Sequence, residues 1–305
     1  TTHQQQRAQQ TDTLLHFRTL LTMRIAVTAA SGRLGHALLR ELPQQAAVTD
    51  VVAIARDPAR VRTTGIEKRA GDYRSADDMR DALRGIDTVV LISAPVAGGA
   101  ERIALHRNVI QAARDAGVNR VLFTSVIGNG LEMNTLFAPT QQVNRQTEKD
   151  LQASGLQWVI GRNGLYLELD VIQMRNAAQS GVYSNPAGDG LCPYISIDEI
   201  ASAYASMAID ARHAGHTYNI TSENLSQSQL LRPVCEVFKM NVRYQPMSDD
   251  ACIEKFKTLM PQRGDAVARM LTGCFQSIRA GAFDVPSNYL VAAGRPAKSV
   301  NQMLE

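Results

Sequence analysis

Two features of this chain could do chemistry by virtue of residue type and spacing. The first is a turn, Thr28-Ala29-Ala30-Ser31-Gly32-Arg33-Leu34-Gly35, lodged between a short apolar run (Arg24 to Thr28) and a stretch with Leu34, Ala37, Leu38 and Leu42 at helical spacing. A helix that opens at such a turn aims unpaired amides and the positive end of its macrodipole at the turn, and so attracts phosphate. Glycine serves there where a Cβ would block the phosphate or the helix–strand contact. Gly32 and Gly35 keep the G-x-x-G spacing, but Ala29 stands where a first glycine is expected, and its methyl group should push the backbone away from the phosphate. The second feature is Arg56, which ends the next apolar run, with Asp57 after it and Arg33 in the loop opposite. An acid at that strand end binds the ribose hydroxyls of NAD, whereas a base accommodates the 2′-phosphate of NADP. A guanidinium offers a planar fork that matches phosphate oxygens and keeps its charge at physiological pH. Turn and arginine together predict NADP, the other reading of Arg56 being a solvated strand end.

Alternating strands and helices must position these groups. From Met23 onward, strand-length apolar runs recur at 24–28, 51–55, 65–70, 88–92, 120–124 and 156–160, separated by helical patterns at 76–83, 102–116 and 141–154. Strands this apolar are buried on both faces, and with helices between them they predict an α/β fold: a Rossmann doubly wound parallel sheet. It spans residues 23–162. Residues 163–305 read as a smaller C-terminal α/β cap for the substrate, with a segment at about 195–222 returning to the main sheet. Helical patterns fall at 197–209, 227–239 and 265–281, and short strands at 218–220 and 242–244. Residues 1–22, rich in Gln and Thr, read as a tail outside the fold. They lack the apolar block and cleavage site of a secretory signal, and their low acid content leaves an organelle-targeting reading open.

Composition sets the remaining bounds. The 305 residues suit one large domain or two coupled ones, and 45% hydrophobic residues leave ample apolar surface for a core. A net charge of +3 is too small to suggest nucleic acid as the main partner. No apolar run approaches the roughly 18–20 residues of a membrane span. Cys192, Cys235, Cys252 and Cys274 form no Cys-x-x-Cys pair and read as reduced thiols of a cytoplasmic protein, a monomer or homodimer. His213 and His216 lack a carboxylate or thiol cluster, so the reading is a solvated turn and no metal. His106 reads as packing or capping rather than a substrate contact. Met240, Met247, Met260 and Met270 either fill gaps in the cap or line an adaptable pocket for flat aromatic molecules.

Taken in order along the chain, the T-A-A-S-G-R-L-G turn, A-R-D-P (Ala55 to Pro58), G-D-Y (Gly71 to Tyr73), L-I-S-A-P (Leu91 to Pro95), H-R-N-V-I-Q-A-A (His106 to Ala113), T-S (Thr124, Ser125), T-E-K (Thr147 to Lys149) and R-N-G-L-Y (Arg162 to Tyr166) resemble the NmrA-like group of atypical short-chain dehydrogenases/reductases. Within that group the chain is most similar to bacterial NADPH:quinone oxidoreductases and triphenylmethane dye reductases, from Met23 to the end. The resemblance implies that Thr28 and Ala30 belong to the cofactor turn, that Ser31, Gly32, Arg33 and Leu34 hold the pyrophosphate, and that Arg56 holds the 2′-phosphate. It implies Asp72 and Tyr73 bordering the adenine, and Ser93, Ala94 and Pro95 under the nicotinamide-side ribose. Ser125 joins the cofactor set, and Asn163, Gly164 and Tyr166 face nicotinamide and substrate.

Ordinary members of the superfamily use a Tyr-x-x-x-Lys pair. Counting back from Glu148 places Thr140 and Asn144 at those positions, and neither can do that proton chemistry. Simple alcohols are therefore poor substrates. Hydride transfer to an electron-poor quinone does not demand the pair, because it makes a stabilised anion that water can protonate; alignment and one or two hydrogen bonds to the oxyanion suffice. Asn144, Asn163 and Tyr166 are the candidates for those bonds, although Asn144 could instead cap or pack its helix. The expected function is reduction of quinones or quinone-like aromatics by NADPH without flavin or metal, and the alternative is an NADP(H)-binding regulatory sensor.

Overall fold

The computed structural model describes residues 23–45, 48–94 and 99–305; the expected tail 1–22 and the expected cofactor contact Pro95 lie outside them. The apolar runs become β1 (Met23–Val27), β2 (Val48–Ala55), β3 (Glu67–Ala70), β4 (Thr88–Leu91), β5 (Arg120–Val126) and β6 (Gln157–Asn163). Three short strands follow, β7 (Leu165–Tyr166), β8 (Val182–Tyr183) and β9 (Cys192–Ile195), before β10 (His216–Ile220), β11 (Asn224–Leu225) and β12 (Arg243–Tyr244). Among the described residues, one sheet runs β10-β6-β5-β4-β1-β2-β3 with every neighbour parallel. The chain thus adopts the expected doubly wound α/β architecture. Strand order reverses between β1 and β4, the switch point where ligands settle at the carboxyl ends of open sheets. The central strands are sealed on both faces, whereas the edge strand β3 presents Glu67, Lys68 and Arg69, charges that keep an exposed edge from pairing with another chain.

The described helices are α1 (Arg33–Glu41), α2 (Ala76–Ala82), α3 (Gly99–Asp115), α4 (Ala138–Gln152), α5 (Leu167–Asn176), α6 (Ile197–Ile209), α7 (Gln227–Phe238), α8 (Asp249–Leu259), α9 (Gly264–Arg279), α10 (Tyr289–Ala293) and α11 (Val300–Leu304). One face of the sheet packs α1 and α6, with Leu38, Ile200 and Tyr204 in its core; the other packs α2 and α3 through Met79, Val109 and Ala113. Tyr204 shows how closely α6 lies on the sheet. Its hydroxyl reaches the carbonyls of Phe123 on β5 (3.1 Å) and Gly161 on β6 (2.9 Å). A Cβ at position 161 would sit 2.1 Å from that oxygen, which is why this strand carries glycine.

A second core joins Phe137, from the residue before α4, to Tyr183, Tyr194, Leu230 and Phe283 of the region expected to be the cap, which also holds two small sheets, β11-β9-β7 and β12-β8. Met240, Met247, Met260 and Met270 pack partly buried around that core. His213 departs from the expected solvated turn: it is buried, its Nδ1 lies 3.0 Å from the Tyr218 hydroxyl, and only His216 stays in solvent. Among the described residues no group of three or more His, Cys, Asp or Glu converges as metal ligands, and no helix is long and apolar enough to cross a membrane.

The cap also buries an acid. Asp170 on α5 accepts a hydrogen bond from the Tyr183 hydroxyl at 3.0 Å and lies near Cys192, Tyr194 and Cys274, none of them cationic. Burial raises its pKa from 3.8 to about 6, against the opposing pull of the Tyr183 bond. Because the folded value exceeds the unfolded one, ionised Asp170 opposes folding: there is no penalty below about pH 4, a rising one towards pH 6, and a constant one above. Asp170→Asn should therefore leave stability unchanged near pH 4 and raise it at pH 7.5 by up to roughly 3 kcal/mol; equal effects at both pH values in thermal melts would contradict this. Gly161→Ala should cost about 1–3 kcal/mol through the clash with Tyr204, read as a lowered melting temperature.

Candidate active site

After β1 the chain reverses through Ala29, which takes a φ of +47°. That left-handed conformation costs an L residue about 1–2 kcal/mol, so the departure from glycine here shows as backbone strain. Two hydrogen bonds close the turn, Gly32 N to Ala29 O (3.0 Å) and Ala30 N to Ile54 O (3.0 Å). Gly35 is forced by space, since a Cβ would lie 2.7 Å from both Cα and O of Ala30. Gly32 caps α1 with extended backbone and no side chain, and the first turn of the helix holds no acid. Its opening amides are thus left to an acceptor from outside the helix. Ser31, Gly32 and Arg33 are exposed around them, while Ala30 and Leu34 are buried and contribute backbone alone.

Arg56 follows β2 directly and is exposed. The neighbouring ion pairs are Arg40–Asp198 (2.8 Å) and Arg74–Asp72 (2.6 Å); among the described residues neither Arg33 nor Arg56 joins one. The Arg74 hydrogen bond holds the Asp72 carboxyl below its usual range, and the charge of Arg56 adds to the effect. Tyr73 turns inward instead of lining an open surface. Its hydroxyl touches Thr28 Oγ1 and donates to Ile92 O at 2.9 Å, and Thr28 Oγ1 in turn bonds Val90 O (3.0 Å) and accepts from Ile92 N (3.1 Å). Thr28 and Tyr73 therefore fasten the ends of β1 and β4 together at the switch point.

The segment after β4 is held by a histidine whose sequence context suggests packing or capping alone. His106 on α3 is buried, and its Nε2 accepts from the Ala94 amide at 2.9 Å. The ring proton must then lie on Nδ1, where it meets Thr147 Oγ1 at 2.8 Å. Burial, with the Arg102 charge adding to it, drops the imidazole pKa to about 3, so this acceptor persists at physiological pH. Ser93 is fixed from two sides: its amide donates to Thr124 Oγ1 (2.9 Å) and its hydroxyl accepts from Arg102 (2.5 Å).

At the ends of β5 and β6 a buried acid governs the geometry. Glu148 on α4 takes hydrogen bonds from Ser125 (2.6 Å), Arg145 (2.6 Å) and Arg162 (2.5 Å to its second oxygen). Burial pushes its pKa up, but Arg162, Arg145 and Ser125 more than reverse that and keep it ionised. Ser125 is thereby turned into a structural ligand of Glu148. Asn144 is fully buried and donates to Thr140 O at 3.1 Å, a bond back into its own helix that leaves Oδ1 without a partner. Asn163 ends β6, also buried with its Oδ1 unpaired, and lies near the phenols of Tyr166 and Tyr204. Burial raises the Tyr166 pKa, so its phenol stays protonated and able to donate. Gly164 is the crossing point between sheet and cap: a Cβ there would stand 2.6 Å from Pro193 O and 3.3 Å from Thr221. The structure thus gathers Asn163, Gly164 and Tyr166 at one strand end and turns Asn144 into its helix. The signal for Glu148, Arg145 and Arg162 was charge placed on inward helical and strand positions.

The chain matches the NAD(P)H-binding family over residues 29–184. It is 30% identical over 282 residues to quinone oxidoreductase 2 of Escherichia coli K12, covering 90% of this chain and 96% of that one. An NmrA-like family domain-containing oxidoreductase of Aspergillus flavus is 27% identical over 238 residues, 76% of this chain and 77% of the other. Among solved structures, the E. coli NADPH-dependent quinone oxidoreductase in complex with NADPH superposes with a TM-score of 0.82 at 28% identity, covering 92% of this chain and 98% of that one. The glycine turn, the switch point above it and these likenesses agree: this chain belongs to the NAD(P)H-binding family and is one of its NmrA-like oxidoreductases.

Proposed function

We propose that the chain reduces quinones or quinone-like aromatic acceptors with NADPH. One observation carries the coenzyme half of this reading: α1 opens uncapped at Arg33, and neither Arg33 nor the exposed Arg56 joins an ion pair among the described residues. Uncapped amides and guanidiniums outside any ion pair are what a pyrophosphate and a 2′-phosphate would satisfy. Ser31 to Leu34 hold the former and Arg56 the latter; Asp72 stands on the adenine side, with the phenol of Tyr73 turned inward beside it, and Ser93 and Ala94 run beneath the nicotinamide-side ribose. The acceptor half is supported by the E. coli relative, whose name is quinone oxidoreductase.

Bound NADPH supplies the hydride. The protein's share is alignment, plus hydrogen bonds to the oxygen on which charge develops. Asn163 has an amide to donate, and Tyr166 donates from a phenol that burial keeps protonated. Water protonates the reduced product. Asn144, bonded into its own helix, acts here by fixing α4 rather than by touching substrate.

Steady-state oxidation of NADPH with a benzoquinone tests this reading: saturable turnover is expected, and coenzyme uptake without turnover would favour a regulatory sensor instead. Arg56→Ala should raise the KM for NADPH roughly ten- to hundredfold, the scale of a lost charge-assisted bond, and leave that for NADH nearly unchanged. Ala29→Gly should relieve the left-handed strain and stabilise the fold by about 1 kcal/mol, without weakening NADPH affinity; a lower melting temperature would refute the strain.

A further inference from the structure

One imidazole joins the two loops on which this reading of the coenzyme site rests. His36, in the second turn of α1, places Nδ1 2.9 Å from Gly32 O and Nε2 3.1 Å from the Arg62 amide nitrogen. A backbone amide can only donate, so Nε2 is the acceptor, and Nδ1 carries the proton that goes to Gly32 O. Gly32 belongs to the turn that opens α1, and Arg62 to the segment that carries Arg56. The other hydrogen bonds of that segment fasten it to itself and to β3, and Val61 packs in the core shared with Leu34 and Leu38 of α1. Asp57 accepts from Ala59 N (3.0 Å), Lys68 donates to Val61 O (2.6 Å), and Val61 is buried. Among the described residues no other hydrogen bond joins residues 56–64 to residues 31–41. Arg33, His36, Arg40 and Arg62 line an open cleft of about 560 Å³, together with the carboxylates Glu168 and Asp198.

We propose that His36 is a positioning residue that sets the spacing between Arg33 and the Arg56–Arg62 segment, and through it the preference for a 2′-phosphorylated coenzyme. A 2′-phosphate held between the side chains of Arg33 and Arg56 needs them at fixed separation, whereas an unphosphorylated ribose makes no such demand and the amides of residues 31–34 serve the pyrophosphate of either coenzyme. The proposal rests on the phosphate-grip reading of Arg33 and Arg56.

The test is fluorescence titration of NADPH and NADH against the full chain carrying His36→Asn, His36→Gln or Arg56→Ala, with kcat measured at saturating NADPH. Asparagine reaches only as far as Nδ1 and keeps the local bond to Gly32; glutamine reaches as far as Nε2 and keeps the bond to Arg62. His36→Asn should weaken NADPH about three- to tenfold, as loss of one neutral hydrogen bond implies. NADH affinity and kcat should stay as in the parent, and His36→Gln should restore NADPH affinity. Two results would overturn the role of His36 while leaving the grip intact: Arg56→Ala abolishes the preference but His36→Asn does not alter it, or His36→Asn weakens both coenzymes equally. If Arg56→Ala itself leaves the preference untouched, the grip fails and the role of His36 fails with it.

Discussion

The opening of α1 is the constraint around which this molecule is arranged. A helix begins with amides that need acceptors, and here the sequence withholds every local one: Gly32 has no side chain to cap them and no acid stands in the first turn. The turn that brings them to the surface is held in a left-handed bend at Ala29, and Gly35 lets the helix sit against the turn at a separation no side chain would allow. An isolated protein would gain from a capping serine or aspartate at this point. Leaving the position open costs stability and creates a site for anions, a trade common where binding is selected.

The rest of the sheet's carboxyl edge is fixed by polar groups buried beneath it. Thr28 and Tyr73 join β1 to β4, His106 holds the Ser93–Ala94 segment by an amide, and Glu148 gathers Ser125, Arg145 and Arg162 from two strands and a helix. Removing one partner from a buried ionic group of this kind typically costs about 3–5 kcal/mol, because the remaining charge stays desolvated. Residues that carry a family's motifs, such as T-E-K and R-N-G, thus serve here chiefly to hold the carboxyl ends of the strands in place. The surface proposed above for the coenzyme is then mostly backbone.

Much of this was legible in the sequence, for a definite reason. Strands buried on both faces must be apolar throughout, so β1, β2, β4, β5 and β6 announced themselves as unbroken runs, and the strand-turn-helix context gave the glycine turn its meaning. The position of Arg56 was legible because it follows directly on β2, where the chain has few conformations to choose from. What stayed hidden were long-range pairings of polar residues. Tyr73 read as a group bordering an open site, yet its hydroxyl turns inward to Ile92 O. His213 read as part of a solvated turn, yet β10 brings Tyr218 back against it. Ser125 and Asn144 read as site residues, but a carboxylate on α4 claims the first and the carbonyl of Thr140 the second. Such choices depend on which buried acceptor lies within three ångströms, and one-dimensional spacing does not encode that distance.

The claim that the first-turn amides of α1 take the coenzyme's phosphates is most directly tested by nitrogen-15 amide spectra recorded through an NADPH titration. Saturable shifts of the Arg33 and Leu34 amides, and of Ser31 in the turn before them, tracking the same dissociation constant as the coenzyme's fluorescence, are the predicted result. Saturable binding that leaves those amides where they were would place the dinucleotide elsewhere and contradict the account.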